Sequence, residues 1–289
     1  MSNLKEILNQ AAKALAECHG FDQSDWALEA RLLLQCTLGV THAWIITHAS
    51  HPVSEAHFES FQQYLSRRLK GEPMAYILGH REFYGLGLKT TSATLIPRSD
   101  TETLVEAALA KIPANSVCSV LDLGTGTGEI ALAIASQRPQ AQVTAVDFSD
   151  EALQVAAENS ESLKLNHVKF IKSHWLSEFT QSSHEKFDVI VSNPPYIRED
   201  DIHLRQGDLR FEPISALASG VDGLDDIRII IKQAPQHLNM NAWLMFEHGY
   251  DQASDVAKLL TEAGFTKISH ALDLAGIQRV TLGCWQSSS

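Results

Sequence analysis

Val120-Leu121-Asp122-Leu123-Gly124-Thr125-Gly126-Thr127-Gly128-Glu129-Ile130-Ala131 is an apolar run that turns through three glycines into a helical pattern. Val120 to Leu123 suit a strand buried on both faces, and the apolar spacing from Ile130 onward suits a helix. The glycines permit a tight turn and a close approach of backbone to a ligand, which a Cβ would obstruct. A glycine-rich turn of this kind is weak evidence alone, because dinucleotide enzymes carry a related pattern and so does a merely tight turn. The flanking elements have to decide.

Outward from this turn, strand and helix alternate. Strands are expected at 117–123, 142–147, 167–172, 187–192 and 242–247, and helices near 128–137, 150–160, 224–237 and 251–264. Such alternation gives an α/β domain, a mostly parallel sheet with helices on both faces. Thr266 to Ala271 and Arg279 to Cys284 read as a terminal antiparallel hairpin, which brings the sheet to seven strands. The chain ends on a short biased tail, Gln286-Ser287-Ser288-Ser289.

The preceding part has a different grammar. Leu4, Ile7, Leu8, Ala11 and Leu15, then Ala27, Ala30, Leu33 and Leu34, recur at helical steps, with Asp25 placed to cap the second segment. A third helix is expected from Ser54 through Phe61 and Leu65 to Leu69, stopping at Gly71-Glu72-Pro73. Residues 1–75 are therefore expected to form a small helical bundle; lacking a catalytic cluster, it should hold a partner. From 76 to 98 the pieces Ala75–Gly79, Arg81–Gly85, Leu86–Thr91 and Leu95–Arg98 look β-like and predict a hairpin linker. The domain at 99–289 then opens on a helix capped by Asp100 or Thr101.

Composition excludes several classes. With 289 residues, 44% hydrophobic and 20% charged, the chain has the makeup of a globular protein with a sizeable core. The N-terminus Met1-Ser2-Asn3-Leu4-Lys5-Glu6 lacks a basic start with an apolar core, and no apolar run approaches a membrane span of about 20 residues, so a cytoplasmic protein without membrane contact is expected. Cysteines 18, 36, 118 and 284 share no short spacing, which speaks against a metal site or a disulfide framework. The net charge of -12 falls entirely on residues 99–289, with 14 Lys or Arg against 26 Asp or Glu, while residues 1–98 carry nine of each. An acidic domain with no basic run longer than Arg67-Arg68 and Lys70 is a poor match for wrapped nucleic acid, so no direct nucleic-acid substrate is expected.

Chemistry-bearing residues cluster at the expected strand ends. Asp147 closes the second strand, 19 residues after Gly128, where a carboxylate can accept both ribose hydroxyls of NAD or of S-adenosylmethionine. Asp122, ahead of the glycines, suits a ligand with an ammonium group and is a poor neighbour for a pyrophosphate. His174-Trp175-Leu176 follows the third strand, and the indole can cover an adenine face or simply pack. After the fourth strand comes Ser192-Asn193-Pro194-Pro195-Tyr196. Asn193 offers a side-chain oxygen and Pro194 only a carbonyl, while the prolines stiffen the loop; an ordinary proline-rich turn would read the same way without the other elements.

Taken together, these spacings resemble the Rossmann-like class I S-adenosylmethionine-dependent methyltransferases, and Asn193-Pro194-Pro195-Tyr196 is similar to the tetrapeptide of enzymes that methylate a planar nitrogen, adenine N6 or a glutamine side chain. Gly71-Glu72-Pro73, Ala75 to Gly79, Arg81 to Leu86, Leu95 to Arg98 and Asp100 to Glu102 look like the linker of the bacterial peptide chain release factor glutamine methyltransferases. Gln206-Gly207-Asp208, Phe211-Glu212-Pro213, Glu247-His248-Gly249 and Asp273 to Gly276 extend the resemblance over about residues 71–283. Two positions depart from it: Ser99 stands where proline is usual, a feature shared with the sister enzymes that modify a ribosomal protein, and Asn239-Met240-Asn241 replaces a glycine-rich turn.

The resemblance implies methyl transfer from S-adenosylmethionine to N5 of the glutamine in the Gly-Gly-Gln motif of class 1 release factors. It places Gly124, Thr125, Gly126, Thr127 and Gly128 around the donor's methionine part, Asp147 on its ribose and Trp175 near its adenine, with Asn193 also counted among the residues that bind the donor. Asn193, Pro194, Pro195 and Tyr196 would hold the substrate glutamine. An amide nitrogen is a poor nucleophile, and acceptors for both its N–H groups, Asn193 Oδ1 and the Pro194 carbonyl, would keep its lone pair aimed at the methyl group without a strong base. Glu247 and His248 are expected to be structural, and Arg98 and Phe83 are further candidates for shaping the glutamine pocket. A monomer is expected. The alternatives are a ribosomal-protein glutamine methyltransferase and an adenine-N6 methyltransferase acting on DNA or RNA.

Overall fold

A computed structural model describes residues 3–19, 25–179 and 185–286. The extreme N-terminus, Met1-Ser2, and the serines of the tail, Ser287 to Ser289, lie outside the described residues. The chain divides into two compact units, Met1–Gly79 and His80–Ser289.

The first unit is helical: α1 (Leu4–His19), α2 (Trp26–Leu38), α3 (His42–Thr47), α4 (Glu55–Leu69) and α5 (Met74–Leu78). The apolar stripe of α1, Leu4, Ile7, Ala11 and Leu15, packs with Ala30, Leu33 and Leu34 of α2 and Phe61 and Leu65 of α4. Asp25 Oδ1 caps α2 by accepting from Leu28 N at 3.0 Å, and Ser54 caps α4. Arg68 of α4 reaches Glu29 of α2 with Nε to Oε2 at 2.7 Å. Two elements differ from the sequence reading. The short α3 was not expected, and Ala75–Gly79, expected to be β-like, is α5. Pro73 pre-sets the entry to that helix, Gly79 ends it at φ 75°, and Ala75, Tyr76 and Ile77 are buried.

The second unit opens on the hairpin β1 (His80–Phe83) and β2 (Leu86–Lys89), joined at Tyr84-Gly85, where both central residues have positive φ (51° and 74°) as a two-residue hairpin turn requires. Phe83 and Leu88 are buried in the core, so Phe83 supports the domain from within and is not among the residues that line the cavity at the strand ends. Leu95–Arg98 is loop rather than β-like, because Ile96 N donates to the carboxylate of Glu212 at 3.0 Å instead of to a neighbouring strand. Ser99–Thr101 forms a 3-10 turn ahead of α6 (Glu102–Leu109), and neither Asp100 nor Thr101 caps that helix through its side chain.

Then follow β3 (Ser119–Leu123), α7 (Glu129–Gln137), β4 (Gln142–Asp147), α8 (Asp150–Ser162), β5 (Lys169–Lys172), β6 (Phe187–Ser192), α9 (Asp225–Gln233), β7 (Leu238–Glu247), α10 (Ala253–Glu262), β8 (Thr266–Leu272) and β9 (Gln278–Cys284). The seven-stranded sheet has the order β5-β4-β3-β6-β7-β9-β8, and β9, antiparallel to both β7 and β8, is the one strand that runs against the rest. Both faces are buried: Val120, Val189 and Val191 belong to one core cluster and Leu121, Leu123 and Ile190 to the other. The strand order reverses between β3 and β6, and a crevice at the carboxyl ends of these strands is where such sheets take ligands.

Asn159 on α8 ties three elements together at 1% exposure. Its Oδ1 accepts from Lys89 N at 2.6 Å, and its Nδ2 donates to Lys89 O at 3.0 Å and Thr127 O at 2.9 Å, so hairpin and glycine turn share one side chain. Asn159→Ala is expected to cost about 2–4 kcal/mol, since it strands buried partners. Urea unfolding measures this, and a cost under about 1 kcal/mol would mean that the hairpin is held by other contacts.

Candidate active site

A cavity of about 430 Å³ opens at the carboxyl ends of the parallel strands. It brings together Gly124, Thr125, Gly126 and Thr127 after β3, Asp147 at the end of β4, Trp175 after β5, and Asn193 and Pro195 after β6. Gly128, Pro194 and Tyr196 lie outside its wall. Gly128 instead begins α7 at φ 83°, where a Cβ would meet Leu132 Cδ1 at 3.0 Å.

Asp147 is held on the floor of this cavity. Its Oδ2 accepts from Gly126 N and its Oδ1 from Ser149 N, both at 2.9 Å, and each oxygen retains a second lone pair. Burial raises its pKa, while the N–H groups of Ser149 and Gly126 pull the other way. Trp175 sits in the left-handed region at φ 52°, which is costly for a side chain of this size. Three contacts keep it there: its carbonyl accepts from Ser173 Oγ at 2.7 Å, its indole N–H donates to Asp226 Oδ1 at 3.0 Å, and its ring lies against Gly124. Gly124 has φ 72° and a Cβ there would stand 3.2 Å from the indole, so both conformation and space demand glycine. Asp226 is fixed in turn by Ser219, whose Oγ donates to Oδ2 at 2.6 Å.

Asn193 donates Nδ2–H to Thr101 Oγ1 at 3.3 Å, which leaves Oδ1 as its available acceptor on the cavity side. Thr101, expected to be a helix cap, is fully buried and serves this contact instead. Tyr196 donates its hydroxyl to Glu247 Oε1 at 3.4 Å, and its carbonyl accepts from Gln252 Nε2 at 3.0 Å. Gly223 packs against that carbonyl so closely that a Cβ would lie 2.2 Å from it. Glu247 thus stands behind the tetrapeptide. His248 is interior, with Nδ1–H donating to Gly249 O at 2.9 Å and Nε2 facing the Thr281 hydroxyl at 2.7 Å, and burial lowers its pKa. Arg98 forms an ion pair with the buried carboxylate of Glu212. That pair joins the segment holding Thr94 and Leu95 to the one holding Pro213 and Ala216, and all four of these residues line the cavity.

Residues that the sequence reading did not assign also line the wall: Glu129, Phe148, His174 and Asp226 among them. The one local signal that could have found them is the phenylalanine directly after the strand-closing acid, Phe148, which the structure leaves 69% exposed. Among the described residues no group of three or more His, Cys, Asp or Glu is arranged to hold a metal ion, and no helix is long and apolar enough to cross a membrane.

Burial inside the domain raises three carboxyl groups. Burial raises Asp122 to about 7 against the pull of the Thr125 hydroxyl and the Ala131 N–H, and it raises Glu247 to about 7 against the Thr101 hydroxyl. Glu129 is raised well above its ordinary value by burial and by the charges of Glu247 and Asp122. A carboxyl whose folded pKa lies above its unfolded value stabilises fully below the unfolded value and loses that contribution as pH rises through the folded one. The window for Glu247 therefore runs from about 4 to about 7. Carboxylates held low, such as Asp222 beside Arg228, act below that window. Relative to the unmodified protein, Glu247→Gln should gain roughly 2 kcal/mol of stability between pH 5 and pH 8. Urea unfolding at the two pH values measures the difference, and an unchanged difference would contradict the raised pKa.

Comparison with known proteins follows the same lines. The methyltransferase domain model matches residues 114–258, and the PrmC N-terminal domain model matches residues 6–79. The release factor glutamine methyltransferase of Xylella fastidiosa is 50% identical over 256 residues, spanning 89% of this chain and 92% of that one. That of Vibrio cholerae is 47% identical over 287 residues, spanning 99% of both. A methyltransferase from Pyrococcus furiosus shares the fold at 17% identity, with a TM-score of 0.52 over 78% of this chain and all of that one. The chain is a methyltransferase and belongs to the release factor glutamine methyltransferase family.

Proposed function

We propose that this enzyme transfers a methyl group from S-adenosylmethionine to N5 of the glutamine in the Gly-Gly-Gln motif of class 1 release factors. The observation that carries the reading is the Asn193 side chain, whose nitrogen is committed to Thr101 and whose oxygen remains free on the cavity wall. A carboxamide so oriented accepts a hydrogen bond and discriminates for an N–H donor. Names borne by relatives at 43–50% identity supply the substrate class, and the acidic domain agrees with a protein rather than a phosphate backbone.

S-adenosylmethionine supplies a sulfonium-bound methyl group that leaves behind a neutral thioether. Asp147 would accept the ribose hydroxyls, Trp175 would cover the adenine, and the turn from Gly124 to Gly128 would border the methionine part. Asn193 Oδ1 and the Pro194 carbonyl would take the two N–H groups of the glutamine amide, with Tyr196 against its plane. Both acceptors favour a pyramidal nitrogen and fix its direction of approach, and positioning supplies most of the acceleration. Glu247 acts as a positioning residue through Tyr196. The helical unit at residues 1–79 would bind the protein substrate, and the enzyme would act as a monomer in the cytoplasm.

Labelled methyl donor should label one glutamine of a purified release factor; labelling of a ribosomal protein, DNA or RNA instead contradicts the reading. Asn193→Ala should lower kcat/KM by at least roughly 100-fold with little change in donor affinity. Asp147→Ala should weaken donor binding by on the order of 1–3 kcal/mol through lost charged hydrogen bonds. Steady-state kinetics and calorimetric titration separate the two effects. A role for the helical unit predicts a lower KM for the whole release factor than for a short Gly-Gly-Gln peptide.

A further inference from the structure

Glu129 is the first residue of α7, is 7% exposed, and lines the cavity with an Oε2 that has no hydrogen-bond partner. Thr127 Oγ1, on the same wall, is a second buried atom outside hydrogen-bond geometry, with its hydroxyl turned toward the Glu129 carboxyl. A buried carboxylate oxygen in this state is costly, and it marks a place that expects a hydrogen-bond donor. The sequence reading gave the ammonium-facing role to Asp122, but the structure withdraws that residue from the cavity wall. Asp122 Oδ2 is occupied by the Thr125 hydroxyl at 2.6 Å and by Ala131 N at 3.2 Å, and the residue is fully buried.

The location of Glu129 selects which part of a donor it meets. Its charged neighbours are Glu247, Asp122 and Arg98, and Glu247 closes β7, beyond β6. Asp147, Phe148, His174 and Trp175 lie at the opposite end, after β4 and β5. With the nucleoside at Asp147, the amino-acid part falls to the Glu129 end. A sulfonium has no N–H to donate, whereas an ammonium has three. Arg98 does not fill the gap, because its guanidinium is paired with Glu212. Among the described residues no three or more His, Cys, Asp or Glu are grouped to hold a metal ion there.

We infer that Glu129 Oε2, with Thr127 Oγ1 beside it, accepts hydrogen bonds from the α-ammonium group of the methyl donor. The inference rests on the reading of S-adenosylmethionine as that donor and adds a specificity-determining residue to it. The N-terminus of α7 favours the ionised carboxylate, and the arriving cation offsets the repulsion from Glu247 and Asp122. Methyl donor and demethylated product share the ammonium, so Glu129 binds both equally and leaves discrimination between them to other groups.

Calorimetric titration of the full chain and of Glu129→Gln with three ligands tests this. S-adenosylmethionine and S-adenosylhomocysteine carry the ammonium, and 5′-methylthioadenosine lacks the whole amino-acid part. Glu129→Gln should weaken the first two alike, by roughly tenfold or more, and leave the third within about twofold. Weakening of S-adenosylmethionine alone would move the contact to the sulfonium, equal weakening of all three would make Glu129 structural, and no weakening would remove it from the site. Each of these overturns the inference. Failure of the unmodified protein to bind any of the three would overturn the donor reading itself.

Discussion

A hydrogen bond between Asn193 Nδ2 and the buried Thr101 hydroxyl sets the polarity of the site. A carboxamide has a donor end and an acceptor end, and free rotation would let it present either. Thr101 removes that freedom because its own proton goes to Glu247, so its oxygen can only accept: the amide nitrogen is used inside the domain, and Oδ1 is left without that partner. Because Thr101 lies in the turn that leads from the hairpin region into α6, the position of that turn and the chemistry at the end of β6 are one constraint.

The same domain carries charge in its interior for a reason visible in its partners. Asp122 holds the glycine turn through Thr125 and Ala131, Glu212 holds two wall segments through Ile96 and Arg98, and Glu247 holds Tyr196. Each anchors a loop that a purely apolar core would leave free to move. The cost is visible too: Asp122, Glu129 and Glu247 each keep one buried oxygen without a partner, and their raised pKa values follow from that burial. A cavity with Glu129 in its wall and Asp122 and Glu247 behind it is unsuited to a phosphate.

The parallel sheet was legible because strands buried on both faces write continuous apolar runs and the intervening helices write a different period. The positions of Asp147, the glycine turn and Asn193 were legible because each sits directly at a strand end, with Trp175 three residues past another. Local punctuation was partly misread: Pro73 and Gly79 bracket a five-residue helix, and the spacing of Ala75, Tyr76 and Ile77 is too short to tell helix from strand. What no local pattern carries is pairing at a distance. Asn193 and Thr101 are 92 residues apart, Trp175 and Asp226 51, and Ile96 and Glu212 116. Glu129 carries no local signal in the sequence, and its place becomes visible only through the cavity on one side and Glu247 on the other.

The central claim is that Asn193 receives the substrate amide through Oδ1. A crystal structure of the full chain with S-adenosylhomocysteine and a Gly-Gly-Gln peptide tests it most directly. The account predicts the glutamine nitrogen about 2.9 Å from Asn193 Oδ1, with Nδ2 still on Thr101. A glutamine nitrogen seated elsewhere, or an Asn193 turned so that Nδ2 faces the substrate, would contradict it.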